Sequence, residues 1–354
     1  MTKFRLVSLV AVLALASLAA ATAGAGEQQA AKAKAKVKVL ADGLDVPWSI
    51  AFLPGGDALV SERSSGWISR IPKHGGKPKH VMRIPRVDHD AGEGGLLGLA
   101  LSPRYRKDHL VYAYLTTKKD NRVVRFKLGG KVRKVLTGIR RNTFHDGGRI
   151  AFGPDKRLYV ATGDAGNAPL AQKRGSLNGK ILRINPNGSI PKTNPFKRSP
   201  VWSLGHRNVQ GLAWDRKGRL WASELGGDRR DEVNLIRKGN NYGWPEVEGR
   251  GPTEGGKFTN PKVTWRPAQA SPSGAAIRGR TLYVAALRGE RLWRVPLKGK
   301  RAGKPKAMLK KRFGRLRAVE RASGGAIWIT TSNDNGNDKV LRLGGRGKKG
   351  KASG

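Results

Sequence analysis

The sequence contains no cysteine among its 354 residues. Disulfide bonds and metal centres with thiolate ligands are therefore excluded. It also lacks any Gly-X-Y period, so the 48 glycines and 19 prolines do not indicate a collagen-like protein. The glycines instead separate many short apolar runs, which is typical of an all-β protein with many turns.

Long hydrophobic runs are also lacking. The longest, Leu6–Leu18, is short for a membrane span. It follows a basic N-terminal stretch and precedes small residues at positions 21–25, the pattern of a cleaved secretory signal peptide. We therefore expect residues 1–25 to be a signal peptide and the protein to be exported to the periplasm or the medium. Because no cysteine lies near the cleavage site, a lipoprotein anchor is not expected.

Acidic residues are few, with 25 Asp and Glu against 70 Lys and Arg, and the formal net charge is +45. Such an excess predicts contact with polyanions. The basic residues are spread along the chain, however, and no RNP signature, zinc finger or basic zipper is present. We expect no specific nucleic-acid function, but nonspecific binding to anionic envelope polymers.

Sustained helical periodicity is absent, and six related units follow one another instead. Each unit has short apolar strands separated by turns that contain Gly, Pro or Asp. The units lie about 45 to 65 residues apart, the spacing of propeller blades rather than of helical solenoids. They begin at Pro47, Gly94, Gly147, Val209, Ser273 and Arg315.

These units predict an all-β fold, a six-bladed β-propeller with four-stranded antiparallel blades. We place the propeller at 39–344, after a low-complexity linker at 26–38 and before a basic disordered tail at 345–354. One blade is expected to combine strands from both ends of the chain and so close the ring. The aromatic residues in the second strands are expected to be core, and they are Tyr112, Tyr159, Trp221, Tyr283 and Trp328.

The loops expected at the mouth of the channel share a polar character. They include FHDGGRIAFGPD, LGHRNVQGLAWD, ELGGDRRDEVNL and FGRLR, with a histidine, several arginines, an asparagine, a glutamine and carboxylates. Arginines bind carboxylates in bidentate fashion and stack on flat ring systems. Backbone carbonyls in ELGGD suit a hard cation such as Ca²⁺. This set favours an anionic, planar, oxygen-rich cofactor and a polyol substrate.

From about Leu40 to Leu343 the chain also resembles the soluble quinoprotein sugar dehydrogenases, which include aldose sugar dehydrogenases and soluble glucose dehydrogenase. The matching segments are GLDVPWSIAFLPGG, GEGGLLGLALSP, HDGGRIAFGPD, LYVATGDAG, NGKILRINPNG, GHRNVQGLAWD, DEVNLIRKGNNYGWP and FGRLR. The resemblance implies a six-bladed propeller that binds pyrroloquinoline quinone (PQQ) with Ca²⁺. It implies oxidation of aldose sugars at the anomeric carbon to lactones, with an external electron acceptor.

The resemblance also implies roles for individual residues. His145 matches the catalytic general base, and Arg207 matches the arginine that stabilises negative charge on the quinone oxygen. The positions matched to cofactor binding are Asn208, Gln210, Arg288, Arg315 and Arg317. Those matched to metal binding are the carbonyls of Gly226 and Gly227 for the cofactor's Ca²⁺, and Glu232 and Tyr242 for a second, structural Ca²⁺. Glu93 and Trp265 fall where substrate-contacting residues lie.

Several positions depart from the glucose-specific branch of that family. Gly227 replaces the proline of a Gly-Pro pair, which leaves the carbonyl but loosens the loop. Leu225, Ala165 and Phe144 stand where that branch has polar residues. These changes favour the broader aldose branch and a relaxed sugar selectivity.

Two alternatives remain open at this point. A six-bladed propeller hydrolase that acts on lactones or esters usually holds one axial Ca²⁺ with Glu, Asn and Asp side chains, whereas the axis here is expected to be rich in arginine. A non-enzymatic envelope propeller that binds an anionic polymer is the other alternative, and the large positive charge motivates it.

Overall fold

A computed structural model describes residues 36–344 of the chain, and regular structure in this part is almost entirely β-strand. The strands form six antiparallel sheets, which are the blades of a propeller. The predicted all-β six-bladed propeller is thereby confirmed. The predicted signal peptide and tail, and all but the last residues of the predicted linker, lie outside the described residues.

Each of the first three blades uses four strands that are consecutive in the chain. Blade 1 contains β2 (Pro47–Phe52), β3 (Ala58–Glu62), β4 (Trp67–Ile71) and β5 (Lys79–Arg83). Blade 2 contains β6 (Leu96–Leu101), β7 (Val111–Thr116), β8 (Asn121–Phe126) and β9 (Arg133–Ile139). Blade 3 contains β10 (Ile150–Phe152), β11 (Leu158–Ala161), β12 (Lys180–Ile184) and β13 (Val201–Leu204).

Blades 4 and 5 continue the same order. Blade 4 contains β14 (Asn208–Trp214), β15 (Leu220–Leu225), β16 (Asp231–Ile236) and β17 (Val263–Trp265). Blade 5 contains β18 (Pro272–Arg278), β19 (Thr281–Ala286) and β20 (Arg291–Lys298), and β20 pairs with both β21 (Arg301–Ala302) and β22 (Lys306–Met308). The helices are an α-helix (Tyr105–Asp108) and 3-10 turns at Ala168–Ala171, Glu254–Gly256 and Pro267–Gln269. No helix within residues 36–344 has the length and apolar character that crossing a membrane requires.

Blade 6 joins the two ends of the chain. Its inner strands are β23 (Leu316–Arg321), β24 (Ile327–Thr331) and β25 (Asp338–Leu343), and its outer strand is β1 (Val37–Leu44). The expected mixture of N- and C-terminal strands is therefore confirmed. β1 begins two residues before the boundary expected at position 39. Pairing of β1 with β25 closes the ring and gives this blade its fourth, outer strand.

The hydrophobic core lies between neighbouring blades. All five aromatic residues predicted to be core in the second strands are at most 5% exposed. Between blades 4 and 5, for example, Trp221 and Val233 pack in one cluster with Leu282 and Val295. Burial of each such side chain contributes about 1.5–3 kcal/mol, so the blades hold one another in place.

A β-bulge interrupts the inner strand near its start in five of the six blades. The register shifts lie between Pro47 and Ser49, Leu96 and Leu99, Val209 and Gly211, Pro272 and Ala275, and Leu316 and Val319. A bulge adds an unpaired residue and redirects its side chain. Because the first strands of neighbouring blades contact one another, these redirected positions are brought together at one end of the ring.

The closing strand offers a direct test of this architecture. Leu44 in β1 is 1% exposed and packs in the core that blade 6 shares with blade 1, whereas Val39 in the same strand is 39% exposed. Leu44→Ala should lower the free energy of unfolding by about 2–5 kcal/mol, because it leaves a cavity in that core. Val39→Ala is the matched control and should change it little. Chemical denaturation of both variants measures the difference, and equal effects would contradict the closure of the ring by β1.

Candidate active site

The bulged starts of the inner strands form a pocket at the mouth of the channel. Trp48, Gln210 and Arg317 lie within the bulges of β2, β14 and β23. With the adjoining loops they line a space of about 240 Å³. The lining residues are Trp48, Arg63, Glu93, Asp146, Gly147, Gln210, Leu225, Ser271, Leu287, Arg288, Arg315 and Arg317. The pocket thus brings together Glu93 and four of the five residues predicted to bind the cofactor, which are Gln210, Arg288, Arg315 and Arg317.

Positive charge dominates this pocket. It is lined by four arginines and two carboxylates, and Arg317 is only 6% exposed. Burial lowers the pKa of Arg317 to about 9, which still leaves it charged at neutral pH. Its Nη1 donates to Oε1 of Gln210 at 3.3 Å, but its buried Nε has no partner within residues 36–344. A ligand carboxylate would supply the missing acceptor.

Asn208 and Gln210 are held by the loop that leads into blade 3. Oδ1 of Asn208 accepts hydrogen bonds from the Gly147 N–H at 3.1 Å and from Nε2 of Gln210 at 3.2 Å. Nε2 of Gln210 also donates to the Gly147 carbonyl at 3.2 Å. Nδ2 of Asn208 is buried and has no acceptor in the described part of the chain. Since a buried unpartnered donor is costly, this amide fits a ligand that brings an acceptor.

The two glycines before β10 bring the loop close to its neighbours. Gly147 has φ +69°, and a Cβ there would lie 2.6 Å from the Gly163 nitrogen. Gly148 has φ +105°, and a Cβ there would lie 2.6 Å from Cδ1 of Leu97. Larger residues would push the loop away from blades 2 and 3, so glycine is required for His145 to sit at the rim.

His145 is fixed at the rim by two carboxylates. Its φ of 60° is unusual for a residue other than glycine, and such strain is concentrated at functional sites. Its backbone N–H donates to Oε2 of Glu93 at 2.9 Å, and its Nδ1 lies 2.8 Å from Oδ1 of Asp164. Asp164 also accepts from the Gly166 N–H at 2.9 Å and from Nε1 of Trp244 at 2.8 Å. A proton shared between Nδ1 and Asp164 leaves Nε2 as the basic nitrogen.

A buried lysine holds the loop that follows Asp164. Nζ of Lys180 donates to the carbonyls of Leu170, Ala171 and Asn178 at 2.7, 2.9 and 2.7 Å. Burial lowers the pKa of Lys180 to about 7. The ammonium thus ties together both ends of the loop, which steadies the carboxylate that faces His145.

Arg207 lies on the other side of Asp164. Its carbonyl accepts from the Asp164 N–H at 2.8 Å, and its guanidinium lies 5.4 Å from the ring centre of Trp244. Its own N–H donates to Oε1 of Glu224 at 2.6 Å, while Oε2 of Glu224 lies 2.8 Å from Nδ1 of the fully buried His206. Arg207 is therefore anchored through its backbone beside Asp164, and, like His145 and Asn208, it is not among the residues that line the pocket.

The loop after β15 carries the predicted carbonyl ligands. The Gly226 N–H donates to Oδ1 of Asp231 at 3.0 Å, and Oδ2 of Asp231 accepts from the Ser271 N–H at 2.7 Å. The carbonyls of Gly226 and Gly227 accept no backbone hydrogen bond from the described residues. Within residues 36–344 no group of three or more Asp, Glu and His side chains could hold a metal ion. A cation at this loop would therefore depend on the two carbonyls and on oxygens of a ligand.

Glu232 and Tyr242, the residues predicted for a second calcium site, are both buried and hydrogen-bonded. Oε2 of Glu232 accepts from Nδ2 of Asn234 at 2.9 Å and Oε1 from the Gly249 N–H at 2.7 Å. Burial and the Glu224 carboxylate raise the pKa of Glu232 well above its usual range. The Tyr242 hydroxyl donates to the Leu235 carbonyl at 2.7 Å. Both carboxylate oxygens of Glu232 thus accept hydrogen bonds from N–H groups, and a calcium site at Glu232 and Tyr242 stays a prediction.

Trp265 is a core residue between two blades. It is 6% exposed, packs in the core between blades 4 and 5, and stacks on Trp293 with the ring centres 5.5 Å apart. It is not among the residues that line the pocket, so the structure does not bring this predicted substrate contact to the site. Glu93 does line the pocket, although its oxygen also supports the backbone of His145.

Several residues of the site were not predicted, among them Trp48, Arg63, Asp146 and Trp244. Trp48 and Trp244 stand in segments that carried the family resemblance, PWSIAF and NNYGWP, and Asp146 follows His145 directly. Asp164 was not among the predicted site residues either. Its pairing with His145 spans 19 residues of sequence and depends on how blade 3 folds.

The fold and the pocket together define a six-bladed propeller with an anion-binding site on its axis and a histidine–aspartate pair at the rim. The family model described as Glucose / Sorbosone dehydrogenase matches residues 44–342. The chain belongs to this family, and the predicted resemblance and enzyme class, a sugar dehydrogenase, are confirmed at that level.

Solved structures of similar proteins share this fold. The PQQ-bound form of aldose sugar dehydrogenase from Streptomyces coelicolor is 50% identical, with a TM-score of 0.83 over 88% of this chain and 98% of that one. A putative oxidoreductase (glucose dehydrogenase) from Thermus thermophilus is 43% identical, with a TM-score of 0.81 over 87% and 99%.

A curated relative, quinoprotein glucose dehydrogenase B of Acinetobacter calcoaceticus, is 33% identical over 63% of this chain and 55% of its own length. Aldose sugar dehydrogenase of Escherichia coli is 32% identical over 58% of this chain and 61% of its own length. The chain thus spans 55% and 61% of the length of these two curated relatives.

Asp146 makes the stability of the site depend on pH. Burial raises its pKa from 3.8 to about 6, and its Oδ2 has no partner among the described residues. The folded state therefore holds a proton that the unfolded chain releases, so this stabilisation is complete below about pH 3.8 and is lost as pH rises through 6. Asp146→Asn removes the effect. Its stability relative to the parent should rise by up to about 3 kcal/mol between pH 4 and 7.

Denaturant unfolding of the ligand-free protein at several pH values measures this difference. Asp57→Asn serves as a control, since Arg70 and the Lys73 N–H lower the pKa of Asp57, which should give the opposite trend with pH. A stability difference between Asp146→Asn and the parent that stays constant with pH would show that Asp146 carries no such proton.

Proposed function

We propose that this protein oxidises aldose sugars at the anomeric carbon to lactones with PQQ as the cofactor. The observation that carries the proposal is that Nε of Arg317 in the axial pocket and Nδ2 of Asn208 are buried without an acceptor, on the side of the fold that holds the His145–Asp164 pair. Similarity to the PQQ-bound enzyme of Streptomyces coelicolor supports it. The arginine-rich axis also disfavours the alternative of a propeller lactonase, which would need carboxylate and amide side chains around a cation.

The residues of the pocket fit an anionic quinone. Arg288, Arg315 and Arg317 would bind its carboxylates, and Nδ2 of Asn208 with Gln210 would donate to its oxygens. The carbonyls of Gly226 and Gly227 would bind a Ca²⁺ that also contacts cofactor oxygens. When bound, PQQ supplies the quinone carbon that takes the anomeric hydrogen of the sugar as hydride. The protein contributes position and electrostatics.

His145 would act as the general base. Nε2 takes the proton of the anomeric hydroxyl, so the sugar carbon is left with the carbonyl of a lactone. Asp164, 2.8 Å from Nδ1, stabilises the imidazolium that forms and keeps the ring turned toward the pocket. Arg207 is placed beside this pair and would stabilise the negative charge that develops on the cofactor side.

The rim is less polar than a glucose-specific site would require. Phe144 is 43% exposed and lies edge-on to His145 with the ring centres 4.7 Å apart, and Leu225 lines the pocket. Apolar side chains at these positions offer few hydrogen bonds to individual sugar hydroxyls, so discrimination between aldoses should be weak. We therefore propose a broad aldose substrate class.

Export and partners belong to the same proposal. The signal-peptide pattern of residues 1–25 supports a location in the periplasm or the medium, where an external acceptor would reoxidise the cofactor. The net charge of +45 supports nonspecific retention on anionic envelope polymers.

Reconstitution tests the activity. Purified protein incubated with PQQ and Ca²⁺ should reduce an electron-accepting dye with several aldoses, and chelation before PQQ addition should prevent activation. Protein without PQQ is the control. If PQQ neither binds nor activates the protein, and lactones are hydrolysed without it, the protein is a propeller hydrolase instead.

His145→Ala tests the base. Loss of the imidazole should reduce kcat by at least about 100-fold, because Nε2 of His145 is the group that takes the hydroxyl proton in this mechanism. PQQ affinity and thermal stability should stay close to those of the parent. His109→Ala, a change in the loop before β7 at the opposite end of its blade, is the matched control. Full activity of His145→Ala would refute this mechanism.

Asp164→Asn tests the positioning residue. The amide cannot stabilise the imidazolium, so kcat should fall by at least about tenfold while the equilibrium binding of PQQ is unchanged. If PQQ binding weakens as much as kcat does, Asp164 supports the loop and not the base.

A further inference from the structure

A second, larger cleft opens beside the axial pocket on the same face of the propeller. It encloses about 880 Å³ and shares Arg288 with the pocket. Blade 4 supplies most of its lining. The segments are the loop between β15 and β16, the loop between β16 and β17, and the end of β17 with the turn that follows it. The family resemblance assigns no role to the other residues that line it.

The cleft is strongly basic. It is lined by five arginines and two carboxylates. One carboxylate, Glu248, is already engaged, since its Oε1 accepts from the Arg229 and Arg230 N–H groups at 3.0 and 2.8 Å. The arginines are Arg229, Arg230, Arg250, Arg266 and Arg288.

Most of these guanidinium groups have no anionic partner. Of the five, only Arg229 lies within 4 Å of a carboxylate among the described residues, at 3.6 Å from Oε2 of Glu248. Arg266 stands in the turn after β17, is exposed, and makes no side-chain hydrogen bond to another described residue. Like charges held together without a counter-charge repel one another, so the cleft favours an anion.

We propose that this cleft binds the acidic group of the substrate, so that the preferred sugars are acidic saccharides with a carboxylate or phosphate remote from the anomeric carbon. The inference rests on the proposed function and names its substrate class. A saccharide with its reducing end against His145 would extend past Arg288 into the cleft. Planar guanidinium groups bind both carboxylate and phosphate oxygens, and the two are distinguished below.

The test compares matched substrates on the PQQ-loaded protein. Cellobiose is compared with glucuronosyl-(1→4)-glucose for the carboxylate, and glucose with glucose 6-phosphate for the phosphate. At least one acidic member should have a kcat/KM roughly tenfold higher than its neutral partner, as expected for one charge-assisted contact. The preference should fall as salt is added. The pair that shows it identifies the anion.

Substitutions of single arginines show whether the preference for acidic sugars arises in the cleft. Arg266→Gln and Arg229→Gln should each reduce the preference for the acidic sugar severalfold while the neutral sugar reacts as before. Arg216→Gln removes the same charge from an exposed turn at the other end of blade 4 and should leave the preference unchanged. Calorimetric binding of glucuronosyl-(1→4)-glucose and glucose 6-phosphate to the PQQ-free protein adds a readout independent of turnover.

The outcomes separate the two proposals. Oxidation of neutral sugars with no acidic preference overturns this inference and leaves the proposed function standing. A preference that Arg216→Gln reduces as much as Arg266→Gln does also overturns it, since the effect would then come from overall charge. If no sugar is oxidised, the calorimetric measurement decides. The inference is overturned if the parent binds neither acidic sugar, or if Arg266→Gln binds them as tightly as the parent does.

Discussion

Positive charge buried on the propeller axis is the constraint on which the rest of this structure depends. Arg149 is 3% exposed and Arg317 6%, and neither has a carboxylate within ion-pair distance in the described part of the chain. Arg149 is held by the carbonyl of Gln210, the hydroxyl of Ser49 and the ring of Trp48 at 4.3 Å. Such charges are expensive unless they are compensated. The unpartnered Nε of Arg317 leaves that compensation incomplete until an anion binds.

The architecture explains how the chain can hold these groups in place. Each blade is fixed by apolar contacts with its neighbours, and β1 closes the ring against β25. The bulges then redirect a few residues of otherwise regular inner strands toward the axis. A rigid frame with local irregularities lets His145 keep an unfavourable φ, because Glu93 and Asp164 hold its backbone and its ring from two different blades.

Much of the fold could be predicted because it depends on the local pattern of apolar residues and turn residues. Repeating strand and turn signals predicted six blades, their aromatic core and the shared closing blade. Among site residues, Gln210, Arg317 and His145 were predicted only because whole segments resemble a known family. Bulge register could not be read from the sequence, so Trp48 was missed. Contacts through space, such as Asp164 with His145 or Trp265 with Trp293, depend on how strands and blades meet, and for that reason they were not predicted.

We infer that the axial arginines bind an anionic quinone. An equilibrium titration of the ligand-free protein with PQQ in the presence of Ca²⁺, followed by absorbance, tests it most directly when Arg317→Gln is titrated alongside. We expect saturable, equimolar binding of PQQ to the parent, and binding that is at least about tenfold weaker in Arg317→Gln and weaker with added salt. Equal binding by the two proteins, or none by the parent, would contradict it.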